Sequence, residues 1–256
     1  MDDMDVAINI GNSNIRVALR NDRQEMCRHI FACSRNINKK LEEMFIVLPD
    51  SIDNCIVSSV NPALTNPVIE AVRSLCDNAP IVASRDFDLS LDYRLYEGLL
   101  GIDRIVSCEA AIMLAQLPLV IIDMGTATTI DVVDKDGYYL GGMILPGLQM
   151  GLSALSSKTS LLPKIQFTDN VQLLGRNTNQ CVLSGAMYGT GFLLDKVIYA
   201  VWSSFEHNGK VIITGGNALP ILPYIETEFI YEENLISIGL FAILDKIKCS
   251  MAKRCH

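Results

Sequence analysis

Two short stretches of the chain place small polar residues directly after an apolar strand, a pattern suited to binding phosphate. In the stretch 119–134, LVIIDMGTATTIDVVD, four apolar residues lead to Asp123 and a turn of small residues follows at 125–129. Glycine lets backbone N–H groups approach a ligand closely, and threonine hydroxyls add short donors. A carboxylate at a strand end can hold a cation or a cation-bound water. An ordinary hairpin turn explains the same residues.

The second stretch, 6–19, has the sequence VAINIGNSNIRVAL and repeats this arrangement. When Gly11 is aligned with Gly125, both copies have an apolar strand, a polar residue two positions before the glycine, and small polar residues after it. That polar residue is Asn9 in the first copy and Asp123 in the second. A duplicated phosphate turn predicts two related half-structures that face each other across a nucleotide cleft.

The composition narrows the class of protein. The chain has 256 residues, of which 50% are hydrophobic and 20% charged, so we expect a substantial core in one large domain or two ordinary ones. The net charge of −8 argues against general binding of nucleic acid or of an anionic membrane. Eight cysteines without a C-x-x-C pattern, and only three histidines, argue against a zinc site. The cysteines are predicted to be buried reduced thiols.

No targeting or membrane segment is evident in the sequence. The first residues, MDDMDV, lack the charged-then-apolar layout of a signal peptide. No apolar run reaches the roughly 18 residues of a membrane helix. We therefore expect a soluble, cytoplasmic protein without a membrane or nucleic-acid partner.

Strands and helices alternate after an opening antiparallel run, which predicts a mixed α/β fold. The boundary between the two halves is predicted near 116–118, giving an N-terminal half at 1–117 and a C-terminal half at 118–256.

The sequence predicts two apolar helices in the second half. A long helix is predicted at 179–205, in which Gly185, Gly189 and Gly191 line up for close packing against a partner helix or a ligand. A final apolar helix is predicted at 236–248, followed by a polar, frayed tail.

A third group of chemically capable residues is Gly101-Ile102-Asp103-Arg104, which opens a predicted helix. Asp103 can orient and deprotonate a hydroxyl, and Arg104 can pair bidentately with a carboxylate or phosphate. A purely structural cap also explains Asp103, because an acid at a helix start is stabilised by the helix dipole. The chain has no G-x-x-x-x-G-K-[ST], G-x-S-x-G or H-E-x-x-H pattern, so a P-loop enzyme is excluded.

Taken together, these motifs resemble those of the type III pantothenate kinases, which belong to the acetate kinase, sugar kinase and actin-like superfamily. The matching segments occur in the family's order and cover nearly the whole chain. They are IGNSN at 10–14, SSVNP at 58–62, GIDR at 101–104, DMGTATTIDVVD at 123–134, YLGGMILPG at 139–147, GRNT at 175–178, SG at 184–185 and TGG at 214–216.

The resemblance implies a fold and a reaction. The fold would consist of two ribonuclease-H-like halves, as in actin-like ATPases, assembled as a homodimer. The reaction would transfer the γ-phosphate of ATP to the hydroxyl of pantothenate, giving 4′-phosphopantothenate in the first step of coenzyme A biosynthesis. The implied cofactors are ATP, Mg²⁺ and a monovalent cation, K⁺ or NH₄⁺.

The resemblance also implies roles for single residues. Asp103 would be the general base, and Asp123 would hold the monovalent cation as the metal ligand. The residues implied to contact pantothenate are Gly101, Ile102, Asp103, Arg104, Tyr93 and Thr178, the last from the partner subunit. The residues implied to bind ATP are Asn9, Gly11, Asn12, Ser13, Arg16 and Thr126.

The chain departs from the family pattern in two places. The family has Asp in the first turn where this chain has Asn9, and a neutral amide oxygen is a weaker ligand for Mg²⁺. Asp5 lies about 13 Å up an extended strand and is not expected to substitute. The family also places Tyr seven residues before the glycine of GIDR, with a proline between. Here that position is Arg94, the proline is missing, and Tyr93 or Tyr96 would have to take the role.

Two other interpretations remain at this stage. Asn9 favours a catalytically weak or silent paralogue that acts as an accessory or regulatory binding protein. The altered segment before Gly101 favours a kinase for another small hydroxylated acid.

Overall fold

The structure is a computed structural model that describes residues 4–33, 37–165, 171–205 and 208–254. The chain divides into two compact units, which are described separately. Unit 1 comprises Met1–Asp92, Glu97–Met113 and Asn234–His256. Unit 2 comprises Tyr93–Tyr96 and Leu114–Glu233.

Unit 1 is built on a five-stranded mixed sheet. Its strands are β1 (Met4–Ile10), β2 (Asn14–Asn21), β3 (Met26–Ala32), β4 (Asn54–Ser59) and β5 (Ile81–Val82). They lie in the order β3-β2-β1-β4-β5, with β1 to β3 antiparallel and β4 and β5 parallel to β1. The first three helices of the chain are α1 (Ile37–Phe45), α2 (Pro62–Arg73) and α3 (Ile102–Leu114).

Unit 2 repeats this arrangement. Its strands are β6 (Leu119–Met124), β7 (Ala127–Val133), β8 (Tyr139–Pro146), β9 (Lys210–Thr214) and β10 (Ile230–Tyr231). The order β10-β9-β6-β7-β8 again joins an antiparallel meander to two parallel strands. Its helices are α4 (Leu148–Lys158) and α5 (Thr178–Trp202), with a 3₁₀ turn at Leu222–Tyr224. The same topology in both sheets confirms the predicted α/β fold of two related halves.

The central strand β1 is apolar on both sides because helices cover both faces of its sheet. Val6, Ile8 and Ile10 pack in one core cluster with residues of α1 and α2. Ala7 points to the opposite face, where it packs with Val106 of α3. Successive side chains of a strand alternate between faces, so the polar residue two positions after Ala7 also lies on the α3 side.

The last helix, α6 (Leu235–Arg254), returns to unit 1 and covers the same sheet face as α3. At the crossing, Gly239 lies against Val106, and a Cβ at Gly239 would stand 2.2 Å from the Val106 carbonyl oxygen. The predicted helix was shorter, ending at 248, and the predicted frayed tail is helical through Arg254. The compact units differ from the predicted halves mainly because α6 packs with the N-terminal strands.

A network of charges fixes α6 on the sheet. Arg20 of β2 binds both carboxylate oxygens of Asp245 on α6, at 2.8 and 2.6 Å, and also binds Asp5 of β1 at 2.8 Å. Lys248 and Asn54 complete the shell of Asp5, at 3.2 and 2.9 Å. Burial alone would raise the pKa of Asp5, but the hydrogen bonds from Arg20, Asn54 and Lys248 outweigh it and hold the pKa below its usual value.

The glycines of α5 differ in their surroundings. A Cβ at Gly191 would stand 2.1 Å from the carbonyl oxygen of Tyr224, so this position packs closely against the 3₁₀ turn rather than against a partner helix or a ligand. Gly185 and Gly189 have nothing within 4 Å among the described residues, so their predicted packing against a partner helix or a ligand stays a prediction. The helix is long and apolar enough to cross a membrane by length and composition, although core helices meet the same criterion.

The cysteines are free thiols in the described part of the chain, as predicted, but the prediction that they are buried holds for only two of them, Cys55 and Cys108. The exposed ones are Cys27, Cys181 and Cys249.

Adding a methyl group at two positions of α5 tests the packing. Gly191→Ala is expected to lower the free energy of unfolding by about 2 kcal/mol, because the new Cβ would overlap the Tyr224 backbone. The matched control, Gly189→Ala, is expected to raise it by about 0.5 kcal/mol, since alanine favours a helix interior and meets no neighbour there. Urea unfolding followed by circular dichroism gives both values, and equal effects would contradict the close approach.

The Asp5 network makes stability depend on pH. Because the folded-state pKa lies below the unfolded one, the contribution is complete above about pH 3.9 and disappears as pH falls through the folded-state pKa. Asp5→Asn is expected to cost about 2 kcal/mol at pH 7, and this difference should shrink below pH 4. Unfolding titrations at both pH values measure it. Asp136→Asn, which removes an exposed pair with Lys135, should change little at either pH.

Candidate functional site

The first phosphate-type turn closes the hairpin between β1 and β2. The Gly11 N–H donates to the Asn14 carbonyl at 2.9 Å, and a Cβ on Gly11 would stand 3.1 Å from the same oxygen. The Cys33 N–H donates to the Ser13 carbonyl at 2.6 Å and ties the turn to β3. Asn12 and Ser13 are exposed. The turn is therefore firmly held, and its tip is open to a ligand.

Asn9, two residues before this glycine, is buried among polar neighbours. It is 4% exposed and lies in register with Arg16 of β2 and Ser58 of β4, which is fully buried. Among the residues that the structure describes, neither Asn9 Oδ1 nor Ser58 Oγ has a hydrogen-bond partner. Buried oxygens without partners are uncommon and call for a bound water, ion or ligand group.

The second turn, between β6 and β7, is held from outside the hairpin. The Gly125 N–H donates to the Ala127 carbonyl at 3.0 Å. Asn217, just after β9, donates its backbone N–H to the Met124 carbonyl at 2.9 Å and its side-chain Nδ2 to the Gly125 carbonyl at 2.8 Å. Thr126 stands exposed at the tip. The predicted nucleotide residue is thus presented on a rigid turn.

Asp123 lies between two threonines. In the register of the sheet it faces Thr129 on β7 and Thr214 on β9. Residues opposite each other on neighbouring strands share a sheet face. The carboxylate therefore stands on a face with hydroxyl groups on either side, which suits oxygen ligation of a cation.

Two glycines allow the backbone of other segments to approach this turn. A Cβ on Gly147 would stand 2.3 Å from the Thr126 carbonyl oxygen. Gly215 has a φ of +102°, and a Cβ there would stand 2.5 Å from the Met124 nitrogen and 2.6 Å from Asp123 Oδ1. Glycine is required at both positions because any side chain would displace the turn.

In unit 1, the Gly101–Arg104 segment forms the start of α3. The Asp103 Oδ1 atom accepts the Arg104 N–H at 2.9 Å, and the Ile105 N–H donates to the Gly101 carbonyl at 3.1 Å. A Cβ on Gly101 would stand 2.6 Å from Asp103 Oδ1, so the glycine makes room for this carboxylate. Asp103 is partly exposed and Arg104 is buried. One carboxylate oxygen of Asp103 is therefore held by a backbone N–H, while the side chain remains accessible to solvent.

Thr178 is the first residue of α5 and is exposed. The helix is capped by Asn177, whose side chain accepts the Gln180 N–H at 3.0 Å, while the Gln180 side chain accepts the Arg176 N–H at 2.8 Å. These two hydrogen bonds resemble a capping box, although Gln180 binds the residue before the cap rather than the cap itself. The helix starts one residue earlier than predicted.

The two candidate tyrosines before Gly101 differ. Tyr96 packs edge-on against Tyr139, with ring centroids 5.4 Å apart and an interplanar angle of 78°. Tyr93 is partly exposed, and its carbonyl accepts the Tyr96 N–H at 3.0 Å. Tyr96 thus has a packing role within unit 2.

The predicted site residues divide between the two units. Asn9, Gly11, Asn12, Ser13, Arg16 and Gly101 to Arg104 belong to unit 1, and Tyr93, Asp123, Thr126 and Thr178 belong to unit 2. The sequence interpretation assigned no role to Ser58, Asp131, Tyr139, Gly147 and Asn217, which the structure brings to the two turns or to Tyr96. All five fall within or beside motif segments, and most of their partners, such as Asn9 for Ser58 and Gly125 for Asn217, are distant in sequence.

The described residues contain no group of three or more His, Cys, Asp or Glu side chains arranged to hold a metal ion. A cation at either turn would therefore take most of its ligands from other oxygens, such as hydroxyls, carbonyls, water or a bound phosphate.

Comparison with known proteins identifies the family. A family model described as type III pantothenate kinase matches residues 6–200. The chain belongs to this family. It is therefore a kinase, an enzyme of the transferase class.

Individual relatives support the same family assignment. Type III pantothenate kinases from Desulfatibacillum aliphaticivorans and Pelobacter propionicus are 30% and 32% identical. The alignments cover 96% and 95% of this chain and 99% and 96% of those proteins. The enzyme from Persephonella marina is 31% identical over 76% of each chain.

Solved structures agree on the fold alone. A protein described as a Baf family transcriptional activator from Campylobacter jejuni matches with a TM-score of 0.60 at 24% identity, covering 95% of this chain and 98% of that one. A protein from Sinorhizobium meliloti described as a 2-dehydro-3-deoxygalactonokinase matches with a TM-score of 0.57 at 14% identity, covering 94% and 96%. The actin-like fold expected from the sequence is thereby confirmed.

The approach of Gly215 to the second turn can be tested by substitution. Gly215→Ala is expected to lower the free energy of unfolding by about 3 kcal/mol or more, because left-handed strain adds to a clash with Met124 and Asp123. Gly141→Ala is the control, since Gly141 also has a positive φ but nothing within 4 Å, and it should cost only about 1 kcal/mol. Equal losses in urea unfolding would show that the close approach contributes nothing.

Proposed function

We propose that this kinase transfers the γ-phosphate of ATP to the hydroxyl of pantothenate, forming 4′-phosphopantothenate in the first step of coenzyme A biosynthesis. The observation that carries the proposal is the family match over residues 6–200, which contains both phosphate-type turns and the Gly101–Arg104 segment. The relatives named type III pantothenate kinase support it over almost their whole length.

The acceptor chemistry is assigned to the start of α3. Asp103 would accept the hydrogen bond of the pantothenate hydroxyl and take its proton as the phosphoryl group arrives. In a loose transition state little proton removal is needed, so much of its contribution would be orientation. Arg104, buried beside it, can pair with a carboxylate. The room that Gly101 leaves for the Asp103 carboxylate supports this assignment.

The nucleotide is assigned to the two glycine turns. Phosphoryl transfer depends mainly on positioning and on charge neutralisation. Gly11, Asn12 and Ser13 in the first turn and Thr126 in the second would supply donors to the phosphates of ATP. The rigid anchoring of the second turn by Asn217 and the exposed tip of the first support these roles.

The cations implied by the family fit the residues present. Mg²⁺ in kinases is commonly bound by one or two carboxylates together with substrate phosphates and water, which agrees with the lack of a preformed acidic cluster in the described chain. The unpartnered Asn9 Oδ1 offers an oxygen at the first turn. Asp123, between Thr129 and Thr214, offers an oxygen-rich site for K⁺ or NH₄⁺. When bound, these cations supply charge neutralisation at the phosphates.

Asn9 is the main electrostatic departure from the family. Its amide oxygen can accept a hydrogen bond from a metal-bound water, but it lacks the negative charge that attracts a hard cation. We therefore expect a lower affinity for Mg²⁺-ATP rather than a loss of the reaction. The accessory-protein alternative draws no support from the three relatives described above, which carry the name of the enzyme.

A kinase for another small hydroxylated acid is the competing proposal. Arg94 is exposed in the segment before Gly101, where the family has Tyr.

We also retain three predictions from the family resemblance. The protein would be a homodimer, Thr178 would contact pantothenate from the partner subunit, and the protein would be cytoplasmic.

The decisive measurement is ATP-dependent formation of phosphopantothenate in Mg²⁺ and K⁺. The native chain is expected to turn over, and Asp103→Ala is expected to lose about 100-fold or more in kcat, because the oriented base is removed. Asn9→Asp is expected to lower the KM for Mg²⁺-ATP by about tenfold, since a carboxylate binds Mg²⁺ more tightly than an amide.

Asp88→Ala, which removes an exposed acid of the same unit, should leave all constants unchanged. Turnover with another hydroxylated acid but not with pantothenate would contradict the proposed substrate. Failure of both the native chain and Asn9→Asp to turn over would contradict the proposed activity.

A further inference from the structure

A buried network of hydrogen-bonded side chains lies on one face of the second sheet. It has no role in the function described so far. Tyr139 is fully buried, and its hydroxyl donates to Asp131 Oδ1 at 2.7 Å. Asp131 is 1% exposed, and its other oxygen, Oδ2, accepts from Thr129 Oγ1 at 3.3 Å. A buried carboxylate is costly unless hydroxyl or N–H donors satisfy it, so these hydrogen bonds define one arrangement of the three side chains.

One end of this hydrogen-bonded network lies beside the second turn. Thr129 lies directly opposite Asp123 in the register of β6 and β7. The side chains of such a pair stand side by side on one face, with Cβ atoms about 5 Å apart. The hydroxyl that Asp131 orients is therefore a neighbour of the carboxylate assigned to the monovalent cation.

The other end of the network contacts the segment that precedes Gly101. The Tyr139 ring packs edge-on against Tyr96, the last residue of Tyr93–Tyr96. This segment belongs to unit 2, whereas the residues on either side of it, Asp92 and Glu97, belong to unit 1. The position of Tyr96 thus depends on the orientation of a ring that is itself fixed by the hydrogen bond to Asp131.

The residues flanking this segment are fixed as well, within unit 1. The Leu91 N–H donates to Glu109 Oε1 at 2.6 Å, and Glu109 is fully buried and paired with Lys246 at 2.7 Å. On the far side, Arg85 Nε donates to the Leu100 carbonyl at 2.7 Å. The Tyr96–Tyr139 contact adds a fixed point inside the segment, between these two flanks.

We propose that Asp131 and Tyr139 are positioning residues that connect the second turn to the Tyr93–Tyr96 segment and so set the affinity for the acceptor substrate. The inference rests on the proposed function, because it takes the segment before Gly101 as part of the pantothenate site. Neither residue touches a reacting atom in this scheme. Tyr139 acts through Tyr96, and Asp131 acts through Tyr139 at one end and Thr129 at the other.

Hydrogen exchange tests the positioning independently of activity. Tyr139→Phe keeps the ring against Tyr96 but removes the donor to Asp131, so amide exchange in residues 93–99 is expected to become at least about threefold faster. Tyr138→Phe is the matched control, since it removes the hydroxyl of the partly exposed neighbouring tyrosine, and its exchange should equal that of the native chain. Unchanged exchange in Tyr139→Phe would overturn the proposal, whether or not the chain is active.

Steady-state kinetics distinguishes positioning from general stability. Tyr139→Phe is expected to raise the KM for pantothenate about fivefold while kcat and the KM for ATP stay within about twofold. Asp131→Asn is expected to raise the KM for pantothenate and the KM for ATP, because Asp131 contacts both Tyr139 and Thr129. Tyr138→Phe, which removes the hydroxyl of the partly exposed neighbouring tyrosine, should leave all constants as in the native chain.

The outcomes separate this proposal from the proposed function. Equal losses in all constants, or an unchanged KM for pantothenate in Tyr139→Phe, would overturn the positioning role while leaving the kinase assignment intact. A native chain that does not phosphorylate pantothenate would overturn the proposed function, and the exchange experiment would still decide whether Tyr139 fixes the segment.

Discussion

The structure of the candidate site depends on backbone segments that approach one another with no side chain between them. The turn after β6 is enclosed by Gly147 on one side and Gly215 on the other, each close enough that a single added carbon would overlap main-chain atoms. Asn217 then adds two hydrogen bonds to the same turn. Such a turn has little room to relax, which is the condition for electrostatic stabilisation without reorganisation at the phosphate site proposed there.

Much of this arrangement could be predicted from the sequence because it is local. An apolar strand, a polar residue two positions before a glycine and a returning strand define each hairpin, and their repetition at Gly11 and Gly125 predicted the two related sheets. The start of α3 at Gly101-Ile102-Asp103-Arg104 was likewise predicted, although a structural cap explained the acid equally well. Periodicity and turn chemistry act over a few residues, so a single sequence reveals them.

The remaining features depend on partners that are distant in the chain. The ion pair between Arg20 and Asp245 joins residues 225 positions apart, and together with the apolar contacts of α6 it holds this helix on the first sheet. Neither Gly189 nor Gly191 can be assigned a packing role from spacing, since only the second meets the Tyr224 backbone. The same holds for Tyr96, whose neighbour Tyr139 is in another motif.

The return of α6 to the first sheet also bears on how the protein is made. Unit 1 begins with the strands synthesised first and is completed by the helix synthesised last of the described elements. Until that helix leaves the ribosome, Ala7, Ile56 and Val106 lack the apolar partners that α6 provides, whereas unit 2 is continuous apart from four residues. The first sheet therefore keeps an uncovered apolar surface until α6 is made, so unit 1 can complete its core only after unit 2 has been synthesised.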